Sequence, residues 1–234
     1  GTSVKFDYPN SVCFAGSSSV LVSDTKNHAI RRVDTNSGDV VTICGGRKGS
    51  SNGAGTNALF YNPAGIVVSS DNSFALVCDT GNDLIRKIIL STNVVTTLVG
   101  GLNYWADGVG TSCGLSNPIG IDLSSDNKFC LVSEEGSHVV RKVILSTGEI
   151  TTVAGSPTKK GHVDGPGTSC NFYKPSGLSI SKDDSYALIA DTGNNMIRKL
   201  ILSTKYVSTF CGSGSAGSRD GYRRRSSFKS PYDV

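Results

Sequence analysis

The string Asp79-Thr80-Gly81-Asn82 returns as Asp191-Thr192-Gly193-Asn194, with weaker copies at Asp24-Thr25-Lys26-Asn27 and Glu134-Glu135-Gly136-Ser137. Their starts lie 55, 55 and 57 residues apart. Self-similarity at such a period marks a repeat architecture, in which one unit cannot bury its faces alone and neighbours stack to form the core. A second marker keeps the same beat: Phe or Leu, two residues, then Pro, at Phe6/Pro9, Phe60/Pro63, Leu115/Pro118, Phe172/Pro175 and Phe228/Pro231. Four turns against five markers predict four complete units and the opening of a fifth.

Within a unit, strand follows strand. In the second, the apolar run at 65–69 is followed by a Ser-Asp-Asn turn, and further runs stand at 74–78, 84–90 and 94–99. Short β-branched runs bounded by Asn, Asp, Gly and Ser carry the strand and hairpin signal. No helix-period segment of ten or more residues appears. Several runs are apolar on consecutive positions, which suits sheets covered on both faces. Repeated four-stranded sheets of this kind predict an all-β fold, a β-propeller with four four-stranded antiparallel blades in this chain. The prediction is one region over 1–234, with blades at about 9–46, 63–101, 118–155 and 175–212, and 213–234 as an inter-blade loop and the start of a fifth repeat.

These residues resemble the NHL repeat family of β-propellers, in its long-loop variety. Asn27-His28-Ala29 is the nearest match to the naming tripeptide. The Asp-Thr-Gly-Asn-x-x-Ile-Arg-Lys core stands at 79–87 and 191–199, and Val-Thr-Thr-(Leu/Val)-x-Gly at 95–100 recurs closely at 150–155. An Asp-Gly loop follows at Asp107-Gly108, Asp164-Gly165 and Asp220-Gly221, with Asn52-Gly53 in the first unit. The resemblance implies a ring that commonly closes with six blades and a face that binds protein or, in some members, single-stranded RNA. Residues 228–234 duplicate 6–12, and in a closed four-blade ring both would compete for the slot before blade 1. The simpler expectation is an arc of a larger ring, whose open blade faces call for dimerisation, a compact four-blade closure or further blades. The opening Gly1-Thr2-Ser3 reads as a fusion remnant or the cut end of a longer protein.

Acid and base recur together in every unit: Asp24 with Arg31, Asp79 with Arg86, Glu134 with Arg141 and Asp191 with Arg198, each seven residues apart. They are expected to pair structurally, since a buried guanidinium needs a carboxylate. Gly81, Gly136 and Gly193 are expected to supply a positive φ to the turn. Seven cysteines, with no Cys-x-x-Cys, read as small buried hydrophobes, because equivalent positions in different blades lie too far apart for a disulfide. An odd thiol count and the absence of an Asn-x-Ser/Thr sequon favour an intracellular setting. The three histidines, His28, His138 and His162, have no Cys or His at ligand spacing, so neither metal nor cofactor is expected.

Strand alternation places the Asp-Thr-Gly-Asn turns and the loops of about 20 residues on one face of the disc. Long loops on a rigid scaffold are where binding concentrates. That face is predicted to carry Lys26, His28, Arg47, Lys48, Tyr104, Trp105, Lys159, Lys160, His162 and Arg223-Arg224-Arg225, with Trp105 capping a blade gap as the structural reading of that residue. No apolar run approaches a membrane span, and the net charge of +4 is compatible with acidic partners without demanding them. The resulting expectation is a non-catalytic protein-interaction scaffold. The alternatives are single-stranded RNA binding and, further off, a metal-assisted hydrolase or lyase of the six-bladed type. The innermost strands, which would line such an active site, carry Asp122 and almost no other acid or histidine.

Overall fold

A computed structural model describes residues 5–234; the opening Gly1-Thr2-Ser3 lies outside the described residues. Four antiparallel sheets are set in a ring. Blade 1 is built of β1 (Pro9–Phe14), β2 (Ser19–Asp24), β3 (Ala29–Asp34) and β4 (Val40–Gly45), in that order from the axis outward. Blade 2 comprises β5 (Gly53–Ala54), β6 (Pro63–Val68), β7 (Phe74–Asp79), β8 (Leu84–Ile89) and β9 (Val94–Val99). Blade 3 comprises β10 (Gly108–Val109), β11 (Pro118–Leu123), β12 (Phe129–Glu134), β13 (Val139–Ile144) and β14 (Glu149–Gly155). Blade 4 comprises β15 (Gly165–Pro166), β16 (Pro175–Ile180), β17 (Tyr186–Asp191), β18 (Met196–Ile201) and β19 (Tyr206–Cys211). The helical content among the described residues is confined to 3-10 turns of three residues each.

The expected four strands per blade hold for blade 1, whereas blades 2–4 have five. The extra strand comes from the preceding loop: Gly53, Gly108 and Gly165 pair with Val95, Ile150 and Val207 on the outermost edge. An outer strand otherwise presents unpaired N–H and C=O groups, and two residues of loop blunt that edge.

The core lies between blades, not within them. The trailing face of blade 1 (Leu21, Ile30, Ile43, Cys44) packs on the leading face of blade 2 (Ile66, Ala75, Val77, Ile88, Val95), with Phe60 between. Equivalent clusters join blades 2 and 3 around Leu76, Ile85 and Ile121, and blades 3 and 4 around Leu131, Phe172 and Leu178. This explains the consecutive apolar runs, since each sheet is sandwiched on both faces.

The turn glycines act differently from expectation. Positive φ falls on the residue after each turn, at His28, Asp83, His138 and Asn195, while Gly81, Gly136 and Gly193 are absent from the positive-φ residues. What requires Gly81 is close approach: its N–H donates to the Tyr61 carbonyl at 2.7 Å, and a Cβ there would lie 2.5 Å from the Tyr61 ring. Gly193 stands in the same relation to Tyr173, and Gly136 to Ser116.

Candidate functional site

The turns and long loops do share a face. The Asn82 amide donates to the Gly49 carbonyl at 2.7 Å and the Asn194 amide to that of Gly161 at 2.7 Å, so each turn is tied to the loop beside it. The organiser is the arginine. Arg86 donates to Asp79 at 2.9 Å, to the carbonyls of Leu59 and Ser51 at 3.0 Å each, and to Asn52 at 2.9 Å. Arg198 repeats this with Asp191 at 2.8 Å and Asp164 at 2.8 Å, and Arg141 with Glu134 at 2.6 Å and Asp107 at 2.7 Å. The Asp-Gly loop thus supplies a second oxygen to each guanidinium, while its glycine begins the fifth strand. Among the described residues Arg31 has only Asp24, at 3.4 Å.

Burial pushes the carboxyls of Asp79, Glu134 and Asp191 upward, and the turn amides or hydroxyl and the arginines pull them back. Asp164 is less buried; burial pushes it up too, but Thr209 and Arg198 outweigh that and hold it below the usual carboxylate value. Both terminal nitrogens of Arg86, Arg141 and Arg198 are occupied within the protein, and each Nε–H, though without a partner among the described residues, is buried out of reach of an external phosphate.

Each arginine also has an aromatic ring over it: Phe60 at 5.2 Å from Arg86, Phe172 at 5.4 Å from Arg198 and Trp105 at 5.4 Å from Arg141. In unit 3 the aromatic's repeat position holds Leu115, and Trp105 reaches in from the loop to replace the ring. Its indole N–H is buried without a partner among the described residues. Trp105 is therefore half-buried scaffold, whereas its neighbour Tyr104 is 61% exposed.

Blades are joined on this face by a repeated latch. The left-handed residue after each turn accepts a backbone N–H from the next unit: Asn62 to His28 Nδ1 at 3.3 Å, Asn117 to Asp83 at 2.6 Å, Lys174 to His138 Nδ1 at 3.3 Å and Ser230 to Asn195 at 2.9 Å. At the two histidine junctions the imidazole also meets a tyrosine edge-on, His28 with Tyr61 and His138 with Tyr173, at 5.6 and 5.5 Å. A lysine lies over each of those rings, Lys48 over Tyr61 at 3.9 Å and Lys160 over Tyr173 at 4.9 Å. The tyrosines were not singled out from sequence; the signal was available, since His, Lys and Tyr recur two repeats apart, at spacings of 110, 112 and 112 residues. Burial and the nearby ammonium groups of Lys160 and Lys174 hold His138 below its ordinary value, against a contact with Glu135.

The remaining candidates are scattered. Lys26, Arg47, Lys159 and His162 are exposed. Arg223, Arg224 and Arg225 form a single 3-10 turn on the loop after blade 4, with Arg224 2.9 Å from Asp164 and Arg223 over Tyr222. The seven cysteines are unpaired, and burial pushes the Cys44 thiol up to about 12. The axial cavity, of about 200 Å³, is lined by the inner strands and residues 232–234. Its inner-strand acid, Asp122, accepts the N–H groups of Ile180 at 2.8 Å and Leu123 at 2.9 Å. Among the described residues no group of three or more His, Cys, Asp or Glu is placed to hold a metal ion, and no helix is long and apolar enough to cross a membrane.

Sheets in a ring, joined through an acid–arginine hub once per repeat, define a β-propeller. The resemblance read from the sequence is borne out by relatives: NHL repeat-containing protein 2 of Bos taurus is 29% identical over 176 residues, 71% of this chain and 24% of that protein. Protein SUPPRESSOR OF QUENCHING 1, chloroplastic, of Arabidopsis thaliana is 28% identical over 231 residues, 92% of this chain and 22% of that protein. The chain thus spans about a quarter of the length of these curated relatives. No protein-family model matches it. Among solved structures, an auxiliary nutrient binding protein from Bacteroides thetaiotaomicron superposes with a TM-score of 0.77 at 16% identity, over 98% of this chain and 54% of that one. A streptogramin B lyase gives 0.62 at 14% identity, over 89% of this chain and 56% of that one. At such identities the likeness is one of fold alone.

Proposed function

We propose that the chain is a non-catalytic interaction scaffold that binds a protein partner through its long-loop face. The observation that carries this reading is the division of labour among the cations. The blade arginines are consumed internally, while Lys48 and Lys160 stand exposed over tyrosine rings at matching positions of alternate junctions. A cation held over an aromatic face is pre-positioned and loses less freedom on binding. The same pairing argues against RNA as the first partner, because the lysines cover ring faces that bases would need for stacking. The non-catalytic reading is supported by Asp122, whose two oxygens are engaged by backbone N–H groups within the cavity.

The test is a reconstituted titration with the protein captured by the intact chain. Reversing both lysines (Lys48→Glu with Lys160→Glu) is expected to weaken that complex at least tenfold, while Lys128→Glu, on the opposite face, leaves it unchanged. Equal losses from both changes would sink the reading. A salt-dependent affinity for a single-stranded RNA oligonucleotide that vanishes with Tyr104→Ala would replace it with the nucleic-acid one.

A further inference from the structure

The cation that follows each hub arginine in the chain is treated in two ways. In blades 2–4 it is a lysine held over the ring that opens β7, β12 or β17: Lys87 over Phe74 at 4.5 Å, Lys142 over Phe129 at 4.0 Å and Lys199 over Tyr186 at 3.9 Å. Such a pairing satisfies the ammonium on the ring face and covers the ring with the lysine stem. Blade 1 departs at both positions. Ser19 stands where the ring would be and Arg32 where the lysine would be. The Arg32 guanidinium has no hydrogen bond, ion pair or ring partner among the described residues; its Nε–H is buried and unpaired, which leaves its two terminal nitrogens as donors at the surface.

The register sets Arg32 opposite Leu21, on the face of blade 1 that packs against blade 2, and the missing ring opens a cleft in that seam. Between blades 3 and 4, with Phe129 and Lys142 in place, the equivalent space is about 50 Å³. Between blades 1 and 2 it is about 310 Å³, lined by Ala15, Ser19, Arg32, Asn72, Leu90 and Ser91. That reaches the lower end of small-molecule sites, roughly 300–1,000 Å³. A third departure leaves another donor unspent. At the seam of blades 2 and 3, Asn127 accepts the Ser70 N–H at 3.3 Å and gives its own amide to the Ser70 hydroxyl at 2.8 Å. At the seam of blades 1 and 2, Asn72 accepts the Gly16 N–H at 2.8 Å, but glycine has no hydroxyl, so the Asn72 amide nitrogen has no partner among the described residues. The Ser91 hydroxyl has none either, whereas Ser19 donates to the Ala15 carbonyl at 2.7 Å.

We propose that this cleft binds a monocarboxylate carried on an apolar stem. The Arg32 fork takes the two carboxylate oxygens, a geometry that a lysine does not offer. Asn72 and Ser91 add donors, and Ala15 and Leu90 form the wall for the stem. One cation matches one negative charge. A phosphate dianion would leave charge uncompensated near Asp71, next to Asn72 in the chain, which the Ser69 and Ser73 hydroxyls hold ionised through bonds of 2.6 and 2.8 Å. The cleft lies on the short-turn face, opposite the loops assigned to the protein partner, and is independent of that assignment.

Titration of the intact chain with sodium hexanoate, followed through the backbone amide shifts of Asn72 and Ser91 by NMR, tests this. The expected result is a saturable change at those two residues while Tyr104, on the other face, stays still. Hexanamide, which has the same stem without the charge, and inorganic phosphate bind at least tenfold more weakly. Arg32→Gln lowers the affinity for hexanoate at least tenfold. Ser19→Phe combined with Arg32→Lys rebuilds in blade 1 the pair that blades 2–4 carry; it abolishes binding while the urea midpoint stays at or above that of the parent. A blocked peptide with one central glutamate separates the two sources of such a carboxylate: affinity above that of hexanoate assigns the cleft to an acidic protein segment, affinity below it to a free acid. Shifts that never saturate, hexanamide or phosphate binding as tightly as hexanoate, or either variant binding like the parent would overturn the proposal.

Discussion

Blades 1 and 2 carry the same acid and the same arginine at the same spacing, yet Arg86 sits sealed among Asp79, Asn52 and two carbonyls while Arg31 keeps, among the described residues, one hydrogen bond of 3.4 Å. The strands of the two blades are alike. What differs is the loop in front: residues 46–62 precede blade 2 and deliver Asn52, β5 and Phe60, whereas in front of blade 1 the described chain offers Phe6, over Arg31 at 5.7 Å. The hub is therefore not a property of a blade. It is made by a blade and the loop that leads into it.

The largest effect should separate these two arginines. Arg86→Ala leaves a buried Asp79 and buried carbonyls without their cation, and a buried pair broken on one side costs about 3–5 kcal/mol. Arg31→Ala removes one long, partly exposed contact while Asp24 keeps the Asn27 amide at 2.9 Å and the Asp7 N–H at 2.8 Å; the expected cost is roughly 1.5 kcal/mol. Urea denaturation measures both, and equal losses would abolish the distinction between the blades. A smaller effect sharpens it from the loop's side. Asn52 is the neutral member of a set otherwise made of Asp107 and Asp164, so Asn52→Asp turns the acceptor for Arg86 from an amide oxygen into a carboxylate, adds an ion pair and should stabilise by about 1 kcal/mol. A fall in thermal midpoint for that variant would contradict the role given to the loop.

The smallest effect concerns the histidine junctions against the Asp83 and Asn195 ones. Folding disfavours the charged His138 through burial and the Lys160 and Lys174 ammonium groups. The unfolded chain then binds more protons, so this contribution is present above the ordinary histidine value of 6.5 and is lost as pH falls below it through the lower folded value. His138→Asn, the residue type used at position 195, should flatten the stability profile between about pH 6.5 and 5. An unchanged slope there would mean that the latch does not sense the proton.

Much of the fold was legible because its signals are local. The runs at 74–78 and 94–99 coincide with β7 and β9 to within a residue, since β-branched runs between Asn, Asp and Gly specify strands without reference to anything distant. The hub's second half was visible only as a recurrence: Asp107-Gly108 and Asp164-Gly165 keep the beat, but that they reach an arginine 34 residues later is a tertiary fact. The role of Trp105 was hidden for a related reason. A ring missing at Leu115 and a ring added ten residues earlier compensate each other only in three dimensions. Gly81 misled because a glycine in a turn has two explanations, torsional freedom and the lack of a side chain, and only the Tyr61 contact decides between them.

The fifth strand has a practical bearing on where this polymer of repeats can be cut or spliced. A segment excised from Pro63 to Val99 would look complete to anyone counting four strands, yet it would leave behind the two residues that cover its rim and the amide oxygen that accepts from its guanidinium. The transferable cassette runs instead from the loop at residue 46 to the end of β9. Grafts, permutations and chimaeras between such proteins should place their joints just after the outermost long strand, so that each donated sheet arrives with its own lead-in.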